Sequence, residues 1–183
     1  MKKVNIYLAE GFEEIEAIAV ADVLRRARID VRMVSITGGH EVKGGHGIVV
    51  AADELFENAD NMGADMLVLP GGMPGTKNLG EHEGLREVLR SFAKEKKYMA
   101  AICAAPSVPG SLGLLNGKLA VCYPGFEDEL KGATIGKGIV VQDENYITSK
   151  GPGTAIYFAL KLAGILAGEE RAEELRNSMI VQG

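Results

Sequence analysis

Tryptophan is absent from this 183-residue chain, and cysteine and histidine are scarce, with two and three copies. Cys103 and Cys122 stand far apart and outside any CxxC pattern, which excludes a disulfide framework and a cysteine-based zinc site. With only His40, His46 and His82 to add, no metal centre is expected. Long apolar runs are missing too. None reaches the ~18 residues of a membrane helix, and the stretch from Ala155 to Ala167 carries Lys161. Positive charge is in deficit: a net charge of −5 and a pI near 5.3 argue against a nucleic-acid partner. Lys94, Lys96 and Lys97 form the one basic cluster and read as the solvated end of a helix. Neither GxxxxGK[ST] nor GxGxxG occurs, so no nucleotide fingerprint is present. Met1-Lys2-Lys3 runs straight into Val4 to Ala9 without a signal-peptide cleavage site. That segment reads as a first strand, and a cytoplasmic location is expected.

Short β-rich runs alternate with helical patterns. Val4 to Leu8, Val31 to Ile36, Met66 to Leu69, Met99 to Ile102 and Ile147 to Ser149 read as core strands. The third and fourth are nearly unbroken apolar runs, as expected for strands covered on both faces. Helical patterns fill Glu13 to Ala27, Gly84 to Lys96, Ala104 to Leu115, Thr154 to Ala167 and Glu169 to Asn177. "TGGHEVKGGHGIVV" suggests a small hairpin, and "IGKGIVVQDENYITS" a second one turning near Asp143 to Asn145. There are no repeats or linkers. The pattern predicts a single α/β domain over residues 1–183, with a doubly wound, mostly parallel sheet between helices.

Sites in such sheets form beyond the carboxyl ends of the strands. Three segments converge there: Glu10 to Glu16, Pro70 to Gly75, and Cys103. If Ala104 opens a helix, Cys103 meets its N-terminus, where free amides and the dipole lower a thiol's pKa. Ala104 and Ala105 leave room for a tight strand-to-helix elbow. At about 100° per residue, Glu16 falls on the apolar face of Val20, Val23, Leu24 and Ala27. Burial there should raise its pKa and let it carry a proton near neutrality. Glu14 is expected to point away, towards Arg25, and Glu13 and Glu14 to complement the helix dipole. Gly71 and Gly72 permit close backbone approach and, with the Ala104 amide, suit an oxyanion hole. No histidine neighbours Cys103 in sequence to act as a base; His46 and Tyr123 are auxiliary candidates. Cys122 reads as core.

These segments resemble the DJ-1 branch of the ThiJ/PfpI superfamily. "GFEEIEA", "DVLRRA", "LVLPGG", "AAICAAP" and "TSKGPGTAI" occur in the family's order, and the likeness extends through "LAGEERAEELRNSMIVQG". The resemblance implies a flavodoxin-like three-layer sandwich and a homodimer. It places a reactive, oxidisable nucleophile on Cys103 and a protonated glutamate on Glu16. It assigns anion-facing amides to Gly72 and Ala104. Two positions depart from the pattern: Tyr123 stands where many relatives carry histidine, and His46 where some carry an arginine that reaches across the dimer. Protease-type members place histidine directly after the cysteine, whereas this chain has Ala104.

The expected function is a cofactor-free, cysteine-dependent enzyme acting on small reactive carbonyls. It would convert 2-oxoaldehydes to hydroxy acids as a glyoxalase, or act as a protein deglycase. The alternative is a non-catalytic redox sensor or oxidation-regulated chaperone built on the same cysteine in oxidative stress. A hydrolase, peptidase or thiazole-biosynthesis role ranks last, because no triad is visible.

Overall fold

A computed structural model describes residues 1–182. The chain opens with β1 (Lys3–Leu8), α1 (Glu14–Arg26) and β2 (Asp30–Ser35). A hairpin of β3 (Glu41–Lys43) and β4 (Val49–Ala51) follows, then the short β5 (Glu54–Leu55) and β6 (Met66–Leu69). Next come α2 (Gly75–Glu81), α3 (Glu83–Lys94), β7 (Tyr98–Ile102) and α4 (Ser107–Ser111). β8 (Leu119–Ala120) and β9 (Thr134–Ile135) form a small parallel pair. β10 (Val140–Asp143), β11 (Tyr146–Ser149), α5 (Ala155–Ala167) and α6 (Glu169–Ser178) complete it. The central sheet has seven strands in the order β10-β11-β7-β6-β1-β2-β5, parallel except for the antiparallel edge strand β10.

The period-2 alternation of the strands explains the three layers. Val4, Ile6 and Leu8 of β1, with Met66, Val68, Ala100 and Ile102, face a core completed by α1, α5 and α6. Tyr7, Leu67, Leu69, Met99 and Ala101 face the opposite core, against Leu79, Leu85, Leu89, Phe92 and Val108. The sheet is thus buried on both faces, which is why its inner strands read as continuous apolar runs. Among the described residues no helix is long and apolar enough to cross a membrane.

Two local expectations are corrected, and one helix is unexpected. The helix expected from Ala104 to Leu115 is confined to Ser107–Ser111, and Cys103 to Pro106 form a turn. Pro109 lacks the amide a longer helix needs, and Gly113 turns the chain with φ +72°. Helix α2 is hidden in a glycine-rich segment. A Cβ on Gly75 would come within 2.7 Å of the Phe12 backbone, so close packing here overrides helix propensity. Glu14 is buried and does not face Arg25, which pairs with Asp53 at 2.7 Å.

Phe158 is wholly buried between α5 and the sheet. Phe158→Ala should cost about 3–5 kcal/mol, read as a lower denaturation midpoint at unchanged slope; a shift below about 1 kcal/mol would mean that this layer is loosely packed.

Candidate active site

The sheet order puts β7, β6 and β1 side by side. Their carboxyl ends deliver Cys103, Gly71 with Gly72, and the start of α1 to one crevice. From β1 the chain moves first to β2 and later to β6 on the other side, and this reversal opens the crevice.

Cys103 leaves its strand at φ +64°, a left-handed conformation that is uncommon for a residue with a side chain. Two backbone bonds hold it there. Its amide donates to the Ser149 carbonyl at 2.9 Å, and its carbonyl accepts from the Tyr123 amide at 2.7 Å. Such strain persists where surrounding structure enforces it, and it occurs often at functional positions. The side chain is almost enclosed, with 9% of the residue exposed. The amides of Gly72 and Ala104 point at the sulfur and favour its anion.

Glu16 reaches the same sulfur from the first turn of α1. The residue is fully buried; its Oε2 accepts the Gly71 amide at 2.7 Å, while Oε1 accepts no hydrogen bond. A buried carboxylate oxygen without a donor is costly when charged and satisfied once it carries a proton. Burial accordingly lifts Glu16 to about 7, against the Gly71 bond that favours the anion. The Cys103 thiol is pushed up to about 12, first by burial and then by the Glu16 charge. This corrects the expectation of an acidic thiol beside a helix end: α4 begins beyond Cys103, and a carboxylate faces the sulfur instead. The two groups are one unit. When Glu16 is protonated, the opposing charge is gone and its O–H can donate to a thiolate that the two amides also stabilise.

The glycines are there for space. A Cβ on Gly71 would lie 2.7 Å from Cys103 Cβ, and one on Gly72, at φ +88°, would lie 2.4 Å from the Glu13 amide nitrogen. Gly71 therefore serves differently from the expected oxyanion donor, because its amide is taken by Glu16. Tyr123 anchors Cys103 through its backbone, while the residue is 46% exposed and its ring lies against Gly151. His46, on the β3–β4 hairpin, donates its amide to Glu14 Oε1 and sets Nδ1 2.7 Å from Oε2. The expected helix-dipole role of Glu13 is joined by a specific one: its Oε2 caps α1 by accepting the Glu16 amide at 2.8 Å. No motif marks Ser149 as a support for Cys103, since that role arises only from a backbone contact, nor Glu13 as a side-chain cap for α1.

A model of the DJ-1/PfpI family matches residues 2–164. The chain belongs to the DJ-1/PfpI family. It is 39% identical to protein dj-1beta of Drosophila melanogaster, over 98% of this chain and 97% of that protein. The glutathione-independent glyoxalase DJR-1.2 of Caenorhabditis elegans is 33% identical, over 91% and 89% of the two chains. The oxidised DJ-1 structure from Toxoplasma gondii superposes with a TM-score of 0.94 at 36% identity, each chain covered to 98%.

The folded pKa of Glu16 lies above the 4.5 of an exposed glutamate. Its contribution to stability is therefore complete below pH 4.5 and is lost as pH rises through 7. Between about pH 4.5 and 8 the wild type should lose about 3 kcal/mol relative to Glu16→Gln, measured by paired urea titrations. Parallel pH profiles would mean that Glu16 ionises as an ordinary carboxyl.

Proposed function

We propose that this protein is a cofactor-free enzyme that converts small 2-oxoaldehydes to 2-hydroxy acids, with Cys103 as nucleophile and Glu16 as proton carrier. The observation that supports this reading best is the buried Glu16 carboxyl, with one oxygen unpartnered, facing a cysteine cradled by two amides. The family includes a relative named as a glutathione-independent glyoxalase, a name that implies no added thiol cofactor.

The steps follow from the residues. The Cys103 sulfur adds to the aldehyde carbon of methylglyoxal, and the thiol proton ends on the aldehyde oxygen, giving a hemithioacetal. The Gly72 and Ala104 amides stabilise the oxyanion formed on the way. Glu16, as carboxylate, takes the proton from C1 to give an enediolate; the C1 hydroxyl proton passes to the C2 oxygen and Glu16 returns its proton to the C2 carbon, leaving a thioester. Water then cleaves the thioester, releasing lactate and the free thiol. A carboxyl with pKa about 7 suits both halves of this shuttle, because a proton carrier works best near the ambient pH. The same adduct chemistry on a carbonyl attached to an amine would be deglycation.

A redox-sensing or oxidation-regulated chaperone role is the second reading. It is favoured by the oxidised state named for the Toxoplasma structure and by the same amides and Glu16 O–H, which would hold a sulfinate equally well. Reduced protein should form lactate from methylglyoxal catalytically. Cys103→Ser and Glu16→Gln should each lower kcat by roughly a hundredfold or more. Wild-type turnover no faster than Cys103→Ser, with peroxide readily oxidising Cys103, would favour the sensor.

The homodimer is proposed as well. Ile15 and Ile18 on the outer face of α1 and Ile48 on the hairpin are about half exposed and line one apolar concavity. Val49, beside Ile48, is exposed too. Such a patch marks an interface. Light scattering should give twice the 19.4 kDa chain mass for wild type and the single mass for Ile18→Glu; a monomeric wild type would overturn the assignment.

A further inference from the structure

The scarcity of histidine argues against a metal site, yet the fold brings one histidine to two carboxylates. His46 Nδ1 lies 2.7 Å from Glu14 Oε2 and 4.0 Å from Glu13 Oε1. One ligand atom from each of the three residues falls within 4.8 Å of the others. A tetrahedral zinc with bonds of ~2.0–2.2 Å places its ligands about 3.4 Å apart. The observed separations bracket that value.

Both carboxylates are held for the purpose by their other oxygens. Glu13 Oε2 accepts the Glu16 amide at 2.8 Å, and Glu14 Oε1 accepts the His46 amide at 2.7 Å. Bonds of this second kind fix ligand direction in metal sites. Glu13 is 8% exposed and Glu14 3%, so this is no solvated acidic cluster. The cationic partner that faces Glu13 Oε1 is the same imidazole, at 4.0 Å. Two buried carboxylates therefore share one imidazole, which leaves negative charge in excess. The N-terminus of α1 offers only about half a positive charge against it. Within one chain the His46 side chain is 74% exposed, which leaves room for a water as fourth ligand beside the proposed dimer face.

We propose that Glu13, Glu14 and His46 form a binding site for one zinc-class divalent cation, separate from the Cys103 sulfur. The imidazole selects against magnesium and calcium, which prefer all-oxygen sets. The site uses residues from the α1 start and the β3–β4 hairpin, so occupancy ties the hairpin to the helix. Its existence does not depend on the carbonyl chemistry proposed above.

The test is zinc chloride alone, titrated against a chromophoric chelator with Cys103→Ser protein, so that the thiol contributes nothing. One zinc per chain is expected, with binding weaker by roughly tenfold or more in both His46→Ala and Glu14→Gln and unchanged in His40→Ala. His46→Ala takes one partner from the buried Glu14 but keeps the amide bond to its Oε1, and unaltered far-ultraviolet dichroism checks that the fold is retained. Zinc bound equally well by His46→Ala, no zinc bound by the parent, or displacement by an equal concentration of magnesium would each overturn the proposal.

Discussion

Everything in the crevice depends on one constraint: a carboxyl group is buried at Glu16 with a hydrogen bond to only one of its oxygens. Burying an ionised carboxylate this way costs several kcal/mol, so the group is held near neutrality and keeps a proton available. That condition makes sense of its surroundings. Glycine at 71 allows the amide to approach Oε2. The Cβ that any other residue would carry collides with both partners of the pair, lying 2.7 Å from Cys103 Cβ and 2.8 Å from Glu16 Oε2. The apolar packing of α1 against α5 and the sheet keeps water away from the remaining oxygen.

The cysteine is tuned by its neighbours and not by a helix. A helix terminus would lower the thiol's pKa at all times. Here the thiol stays protonated while Glu16 is charged, and the thiolate is favoured when Glu16 is neutral. Reactivity is then conditional on a proton held close to the sulfur. The left-handed backbone of Cys103, fixed by Ser149 and Tyr123, sets the sulfur between that proton and the amides of Gly72 and Ala104. Substrate carbonyl addition and oxidation by peroxide both begin from this thiolate, so one geometry accommodates both chemistries.

Much of this is legible in the residues. The five core strands match their expected spans closely at each end, because buried parallel strands leave apolar runs that a surface helix does not imitate. Both hairpins are marked by their turn residues. The position of Glu16 follows from helical period alone, since a carboxylate on an apolar stripe must enter the core that the stripe packs against. What stays hidden lies in contacts between distant segments. No pattern marks Ser149 as the acceptor for Cys103, and α2 is masked by its glycines. Helical rotation points Glu14 away from the core towards Arg25, and nothing in it reveals the hairpin 32 residues later that closes over the carboxylate. Alanines at 104 and 105 favour a helix after Cys103, whereas the bonds imposed by neighbouring strands turn the chain there instead.

The acidic run Glu13-Glu14-Ile15-Glu16 shows how one short stretch acquires three separate duties. Each step of about 100° around the helix turns a carboxylate to a new environment. Glu13 closes the helix end, Glu14 holds the hairpin through His46, and Glu16 enters the core. Ile15, between them, remains outside with 57% of its surface exposed. Burial pushes Glu14 upwards, but its bonds from His46 and Ile48 outweigh this and hold it below the usual glutamate value. For Glu16 the balance falls the other way, because the Gly71 amide and the Cys103 thiol together do not offset complete burial. Identical side chains two residues apart are thus charged and uncharged at the same pH. The number of donors reaching each carboxylate decides the outcome, and the hairpin supplies those donors to Glu14 alone.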